Sequence, residues 1–156
     1  MNKKGFTLIE LLIVVAIIGI IAAIAIPNLL VALQKGKQKA TMGDLKTIGS
    51  AIESYVTDWS IVPQSDTFLT DGETVVTDYF EPFYIKIVPP ADGWGVVFHY
   101  VWSTTDEYTA WSGGRGGAVG DSLAAAGLYM CTNISDFNLD IAYSNGLFTS
   151  GPQVKR

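Results

Sequence analysis

Between Phe6 and Ile26 the chain places 18 hydrophobic residues in 21, interrupted only by Thr7, Glu10 and Gly19. A run of that length limits what the chain can fold into. Wound as a helix it spans about 31 Å, close to the ~30 Å hydrocarbon core of a bilayer. Lys3 and Lys4 precede it, which sets the short N-terminus on the cytoplasmic side and the bulk of the chain outside. A cleavable secretory signal starts in a similar way, and the Ala23-Ile24-Ala25 triplet offers it a small-residue site. Such signals have apolar cores of only ~7–15 residues. Here the run is longer and continues through Pro27 into helix-compatible sequence, so a retained anchor is the reading that fits its length.

The remainder of the chain is ordinary. The whole sequence of 156 residues is 49% hydrophobic and 16% charged. Without the apolar segment the hydrophobic share falls to about 43%, a value normal for a soluble domain. That composition argues against a disordered chain. The balance of 10 basic against 15 acidic residues, net −5, argues against a general nucleic-acid binder, which needs cations to displace counterions from phosphates. Cys131 is the sole cysteine and His99 the sole histidine, which excludes an intrachain disulfide and the common Cys- or His-rich zinc sites.

Glu10 is the informative exception inside the run. An ionised side chain at the centre of a membrane helix costs about 2.5–3.5 kcal/mol on insertion scales. Either the carboxylate reaches back to the headgroups, or it has a cationic partner of its own. Its surroundings, Lys4-Gly5-Phe6-Thr7-Leu8-Ile9-Glu10-Leu11-Leu12, resemble the leader junction of type IV pilins and type II secretion pseudopilins, and the likeness extends through the apolar run to Pro27. The resemblance implies that a prepilin peptidase cleaves after Gly5 and methylates the new terminus at Phe6. It further implies that Glu10 pairs with the Phe6 amine of a neighbouring subunit as a filament assembles. The cost of an isolated carboxylate in lipid agrees with such pairing.

Beyond Pro27 the sequence stays compatible with helix to about Ser60. Leu45, Ile48, Ile52, Tyr55, Val56 and Trp59 fall on one face, the stripe of an amphipathic helix packed on a head. Ile61, Val62 and Pro63 mark its stop. Gly19 and Pro27 weaken helix hydrogen bonding and are expected to break it locally. A helix from Phe6 to Ser60 measures about 82 Å, whereas a body of ~96 residues is only about 30–35 Å across. About half of the helix must therefore project. Charge is split as well: Lys35, Lys37, Lys39 and Lys46 with Asp44 give residues 28–46 a net +3, and residues 47–156 carry net −9. The lysines suit a solvated collar beside headgroups, or a contact with the acidic head of a neighbouring subunit.

Past Pro63 the pattern changes to short alternating or apolar runs, at Thr74–Thr77, Phe83–Val88, Val96–Trp102, Tyr108–Ser112 and Ile141–Phe148. Asp71-Gly72, Asp92-Gly93, Gly113-Gly114 and Asn145-Gly146 punctuate them as turns. The expected fold is α+β: a long N-terminal helix packed on a small antiparallel sheet, pilin-like in architecture. Asp92-Gly93-Trp94-Gly95, with Phe98 and Tyr100 after it, resembles the Asp-x-Trp-Gly hairpin of the major pseudopilin of type II secretion. Ser112-Gly113-Gly114-Arg115-Gly116-Gly117 and Asp140-Ile141 resemble its calcium turn and the Asp-Ile beyond. Calcium wants six to eight oxygens, but Gly116 stands where the family has an aspartate, and Arg115 is beside it. Asp121, Asp136 and Asp140 remain as candidate ligands. A single Cys131 cannot form the C-terminal disulfide of many type IV pilins, which leans toward the pseudopilin branch.

Nothing in the pattern supplies catalysis. His99 alternates with Phe98 and Tyr100 as a structural histidine would, Cys131 reads as a small buried hydrophobe, and no phosphate-binding glycine loop follows a strand. The expected organisation is a leader at 1–5, a membrane and filament-core helix at 6–27, an amphipathic helix at 28–62 and a β-rich head at 63–156. By resemblance, the chain is a non-enzymatic subunit of a helical homopolymer. Its expected setting is the bacterial inner membrane, with a periplasmic or extracellular head, and its partners are lipid, the peptidase, an assembly platform and that platform's ATPase. No cofactor is implied beyond the calcium candidate. A type IV pilin or a membrane-anchored binding subunit is the alternative.

Overall fold

The structure, a computed structural model, describes residues 5–63, 79–104, 107–117, 127–131 and 133–153. One helix dominates it: α1 runs unbroken over 52 residues, Leu8–Trp59. Thr7 caps its start in extended conformation, and Ser60 ends it in the left-handed region at φ 58, its N–H returning to Val56 O at 2.7 Å. The expected break at Gly19 and Pro27 is absent, since both residues lie inside the helix. Proline there removes a single amide donor, and strong helix formers on both sides carry the remaining bonds past the gap.

The head is a five-stranded sheet built from β1 (His99–Thr104), β2 (Glu107–Ser112), β3 (Leu128–Tyr129), β4 (Ile141–Ser144) and β5 (Leu147–Pro152). The spatial order is β1-β2-β4-β5-β3, antiparallel except for β3, which pairs in parallel with β5 at the edge. Two of the expected strands match β2 and, around the Asn145-Gly146 turn, the β4–β5 hairpin. Val96–Trp102 starts later than expected, at His99, because Asp92 Oδ1 accepts the Val96 N–H (2.9 Å) and Asp92 N donates to Val96 O (2.8 Å). Phe83–Val88 is not a strand. Its chain folds back on itself, with Tyr84 N on Phe80 O and Val88 N on Glu81 Oε1, and Pro82, Pro89 and Pro90 withhold donors from any ladder. Thr74–Thr77, Asp71-Gly72 and Asp121 lie outside the described residues.

The sheet packs on the upper part of α1. Gln38, Thr41, Leu45, Ile48, Gly49, Ala51, Ile52 and Tyr55 are buried there, at the three-four spacing of one helix face. Leu45, Ile48, Ile52 and Tyr55 thus lie in the core as expected, with Val56 partly buried against it. Trp59 instead stays 63% exposed, stacked on Tyr55 at 6.1 Å. Facing the stripe are Phe98, Tyr100, Tyr108, Ala110, Ile141 and Tyr143. Gly49 allows the closest approach, because a Cβ at that position would come within 2.1 Å of the Tyr143 ring.

Candidate functional site

Below the head, α1 has no cover. Seventeen large apolar side chains between Phe6 and Leu33 are 46–81% exposed, far beyond the patch a soluble monomer tolerates. The most apolar 18-residue window of this helix has a mean hydropathy of 3.1 and no buried residue. Such a surface can do two things: sit in lipid, or pack on copies of itself.

At its tip, Thr7 and Glu10 form a reciprocal cap. Glu10 Oε2 accepts from Thr7 N at 2.9 Å and from Thr7 Oγ1 at 2.7 Å, while Glu10 N donates to Thr7 Oγ1 at 3.3 Å. The carboxylate is thereby fixed beside the first turn, where the helix dipole favours negative charge, and one residue from the chain position of Phe6 N. Sequence reasoning weighed Glu10 by its membrane cost and passed over the Thr-x-x-Glu spacing, which is itself a helix-start signal. Gly5 and Phe6 are exposed next to this cap.

Where the head begins, the Asp92–Val96 loop clasps the helix. Asp92 accepts from Trp94 N (2.8 Å) and Val96 N (2.9 Å) through Oδ1, and from Ser112 Oγ (2.5 Å) through Oδ2. Gly93 N donates to Thr41 Oγ1 at 3.0 Å, and Trp94 Nε1 to Gln34 Oε1 at 2.6 Å. A Cβ on Gly93 would come within 2.5 Å of the Lys37 carbonyl oxygen, so only glycine allows the loop to lie flat on the helix backbone. The Asp-x-Trp-Gly pattern is therefore a loop bracket holding helix to head. Asp44, partly buried close by, has its carboxyl pushed up by burial and then by the Asp92 charge.

The Ser112–Gly117 turn packs against the 3-10 turn Ile134–Asn138. Gly114 (φ +60) faces two backbone carbonyls: a Cβ there would lie 2.6 Å from Leu139 O and 2.8 Å from Phe137 O. Asp136 Oδ2 accepts Asn133 N at 2.7 Å as part of a capping box, and Asp140 is buried at the start of β4. Among the described residues no group of three or more His, Cys, Asp and Glu side chains could hold a metal ion, so Asp136 and Asp140 are not brought into a ligand set there. His99 is buried and stacked on Trp111 at 5.4 Å. Burial lowers its pKa, and the Asp140 charge offsets part of that. Cys131 is half-buried rather than buried, its thiol donating to Gln38 Oε1 at 3.3 Å.

Comparison with known proteins gives two family matches, a prokaryotic N-terminal methylation motif over residues 1–26 and type II secretion system protein G over residues 28–129. Type II secretion system core protein G of Vibrio cholerae is 34% identical over 128 residues, covering 76% of this chain and 87% of its own length. Its counterpart in Pseudomonas aeruginosa is 30% identical over 106 residues, covering 64% and 74%. The type IV major pilin protein PilA of Myxococcus xanthus is 52% identical over 54 residues, covering 35% of this chain and 24% of its own. No solved structure matches.

Proposed function

The chain belongs to the type II secretion system protein G family of structural pseudopilins, and from that premise we propose that it polymerises through α1 to drive protein export. The observation that carries this is the uncovered apolar half of α1 beneath a head that packs well on the other half. A surface of that size is stable in lipid as a single anchor, or in the core of a filament whose subunits repeat head-to-tail without closing. The type IV pilin match spans a much smaller share of the chain, so the pseudopilin reading takes precedence.

Processing precedes assembly in this reading. Prepilin peptidase removes residues 1–5 after Gly5 and methylates Phe6, leaving a cationic amine one residue before the Thr7 cap. Glu10 then exchanges its cap for the Phe6 amine of a neighbouring subunit, an ion pair that removes an uncompensated charge from an apolar core. Before assembly the helix is a single-pass anchor of the inner membrane with its head outside the cytoplasm. The energy comes from an assembly ATPase acting through a membrane platform, and the chain contributes no chemistry.

The experiment combines mass spectrometry of the mature chain with electron microscopy of shed filaments. Loss of Met1–Gly5, a methylated Phe6 and filaments made of the processed chain are the expected results; an intact Met1 or monomers alone would refute the reading. Calcium, which the resemblance raises for Asp121, Asp136 and Asp140, gains no support from the two described carboxylates, one of them engaged in a helix cap. Millimolar calcium should leave the thermal midpoint of the detergent-solubilised chain unchanged. A rise of several degrees would return Asp121 to consideration as a ligand.

A further inference from the structure

The head has two chemically opposite ends along the axis of α1. Its distal end is marked by Tyr84, whose OH donates to Asp58 Oδ2 at 2.9 Å, and by Tyr108, whose OH donates to Glu53 Oε1 at 3.1 Å. There Trp59 is 63% and Phe83 82% exposed, on the rim of an open aromatic groove of about 900 Å³. Glu53 and Asp58 stand here on α1, joined by Glu107, which shares a pocket with Asn145 next to the Gly146 that faces Glu53; Glu81 and Lys86 flank Phe83 and Tyr84 in the chain. The proximal end is marked by the Gly93 N–Thr41 Oγ1 and Cys131 Sγ–Gln38 Oε1 bonds. Lys35, Lys37, Lys39 and Arg115 are exposed at that level, with Leu128 (54%) and Met130 (46%) beside them. The described acids there are the partly buried Asp44, the capping Asp136 and the buried Asp92 and Asp140.

From this juxtaposition we propose that the acidic aromatic distal end of one head docks under the basic apolar proximal end of a second copy, stacking heads along the filament. The proposal rests on the filament reading and specifies its head contact. Complementary charge and exposed apolar groups on both faces define the occupant as another copy of this chain. Lipid cannot satisfy both ends at once, because Lys37 and Asp58 are about 31 Å apart on one helix. The distal end therefore stands well clear of headgroups when the proximal end touches them. A contact between two different faces does not close, so it propagates. It also has a direction: an incoming subunit rising from the membrane presents its distal end to the exposed underside of the subunit before it.

The test uses the full chain in cells that assemble it. Reversing Lys35, Lys37 and Lys39 to Glu should cut filament yield at least about tenfold through like-charge contact, with membrane level and head midpoint unchanged. Adding Asp58→Lys and Glu107→Lys to that variant should restore assembly. In a Cys131→Ser background, Lys37→Cys with Asp58→Cys should give a ladder of multimers with a flexible bismaleimide, and neither cysteine alone should do so. Normal filaments from the reversed chain overturn the stacking and leave the filament reading intact. Loss without rescue, and without a ladder, also overturns it and assigns the lysines to anionic lipid. A wild-type chain that forms no filament at all takes down the underlying reading instead.

Discussion

The two halves of α1 have the same backbone and opposite fates. From Gln38 to Tyr55 one face is buried under the sheet, with Leu45 and Ile52 fully enclosed. From Phe6 to Leu33 seventeen large apolar side chains stay exposed and none is buried. Local structure does not separate them, since the helix passes through Gly19 and Pro27 without a break. Packing does. The upper half is completed within the molecule and makes the head stable, whereas the lower half is completed only by lipid or by other copies. Stability and assembly should therefore respond to different substitutions on one helix.

The largest separation is expected at Glu10. On the proposed pairing, Glu10→Ala leaves an incoming Phe6 amine without a counter-charge in the apolar core, a loss of about 3–5 kcal/mol, which corresponds to a fall of two orders of magnitude or more in filament yield. The head lies remote from this site, so its thermal midpoint should not move. Filaments at wild-type yield would break the comparison at its lower end.

A matched pair of leucines sharpens it. Leu45→Ala, at a position with 0% exposure, should destabilise the head by about 2–5 kcal/mol through lost burial and a residual cavity. Leu12→Ala, at 62% exposure, should leave unfolding within ~0.5 kcal/mol of wild type and act on filament yield instead. Denaturant melts of both solubilised variants, read beside their filament yields, test this. Equal melts would mean that the two halves are not energetically distinct.

How much of this was legible beforehand follows the same division. The lower half could be read almost completely, because length and hydropathy are properties of consecutive residues. The buried stripe on the upper half was also readable, since a helix face is a local period. The bracket between helix and head was not. Asp92-Gly93-Trp94 stood out as a pattern, but its glycine is required by the Lys37 carbonyl, 56 residues earlier in the chain, and no local signal reports such an approach. The apolar run Phe83–Val88 was misread as a strand although its flanking prolines argued otherwise. The edge strand β3 has two residues, too few to show any alternation. At the tip, Thr7-x-x-Glu10 was readable as a capping box and was overshadowed by the cost of a carboxylate in lipid.

The bracket itself gives the next prediction. Gly93→Ala places a methyl group against helix backbone, which cannot rotate away as a side chain can, so an overpacking cost of about 1–3 kcal/mol is expected. Gln34 and Thr41 sit where covered helix gives way to bare helix, and their bonds to the loop should loosen together. Hydrogen exchange should rise at Gly93 and Trp94 while α1 amides below Leu33 stay unchanged. An unaltered midpoint would show that the boundary between the halves is softer than its geometry implies.

The smallest effect concerns pH and belongs to the head alone. His99 is buried against Trp111, and burial holds its pKa below the ordinary 6.5, with Asp140 opposing in part. The unfolded chain therefore binds this proton more tightly than the folded one does. Stability attributable to His99 is present above pH 6.5 and declines as pH falls through that value toward the folded pKa, with a slope of at most about 1.4 kcal/mol per pH unit. Carboxylates titrating in both proteins cancel in the difference between wild type and His99→Gln. Glutamine carries no titrating proton, so the difference should be flat above pH 7 and shift in favour of the variant as pH falls toward 5.5. Filament assembly, which rests on the bare half of α1 and on the two ends of the head, neither of which includes the buried His99, should show no matching dependence on this substitution. A flat difference throughout would mean that His99 is solvated enough to protonate in place.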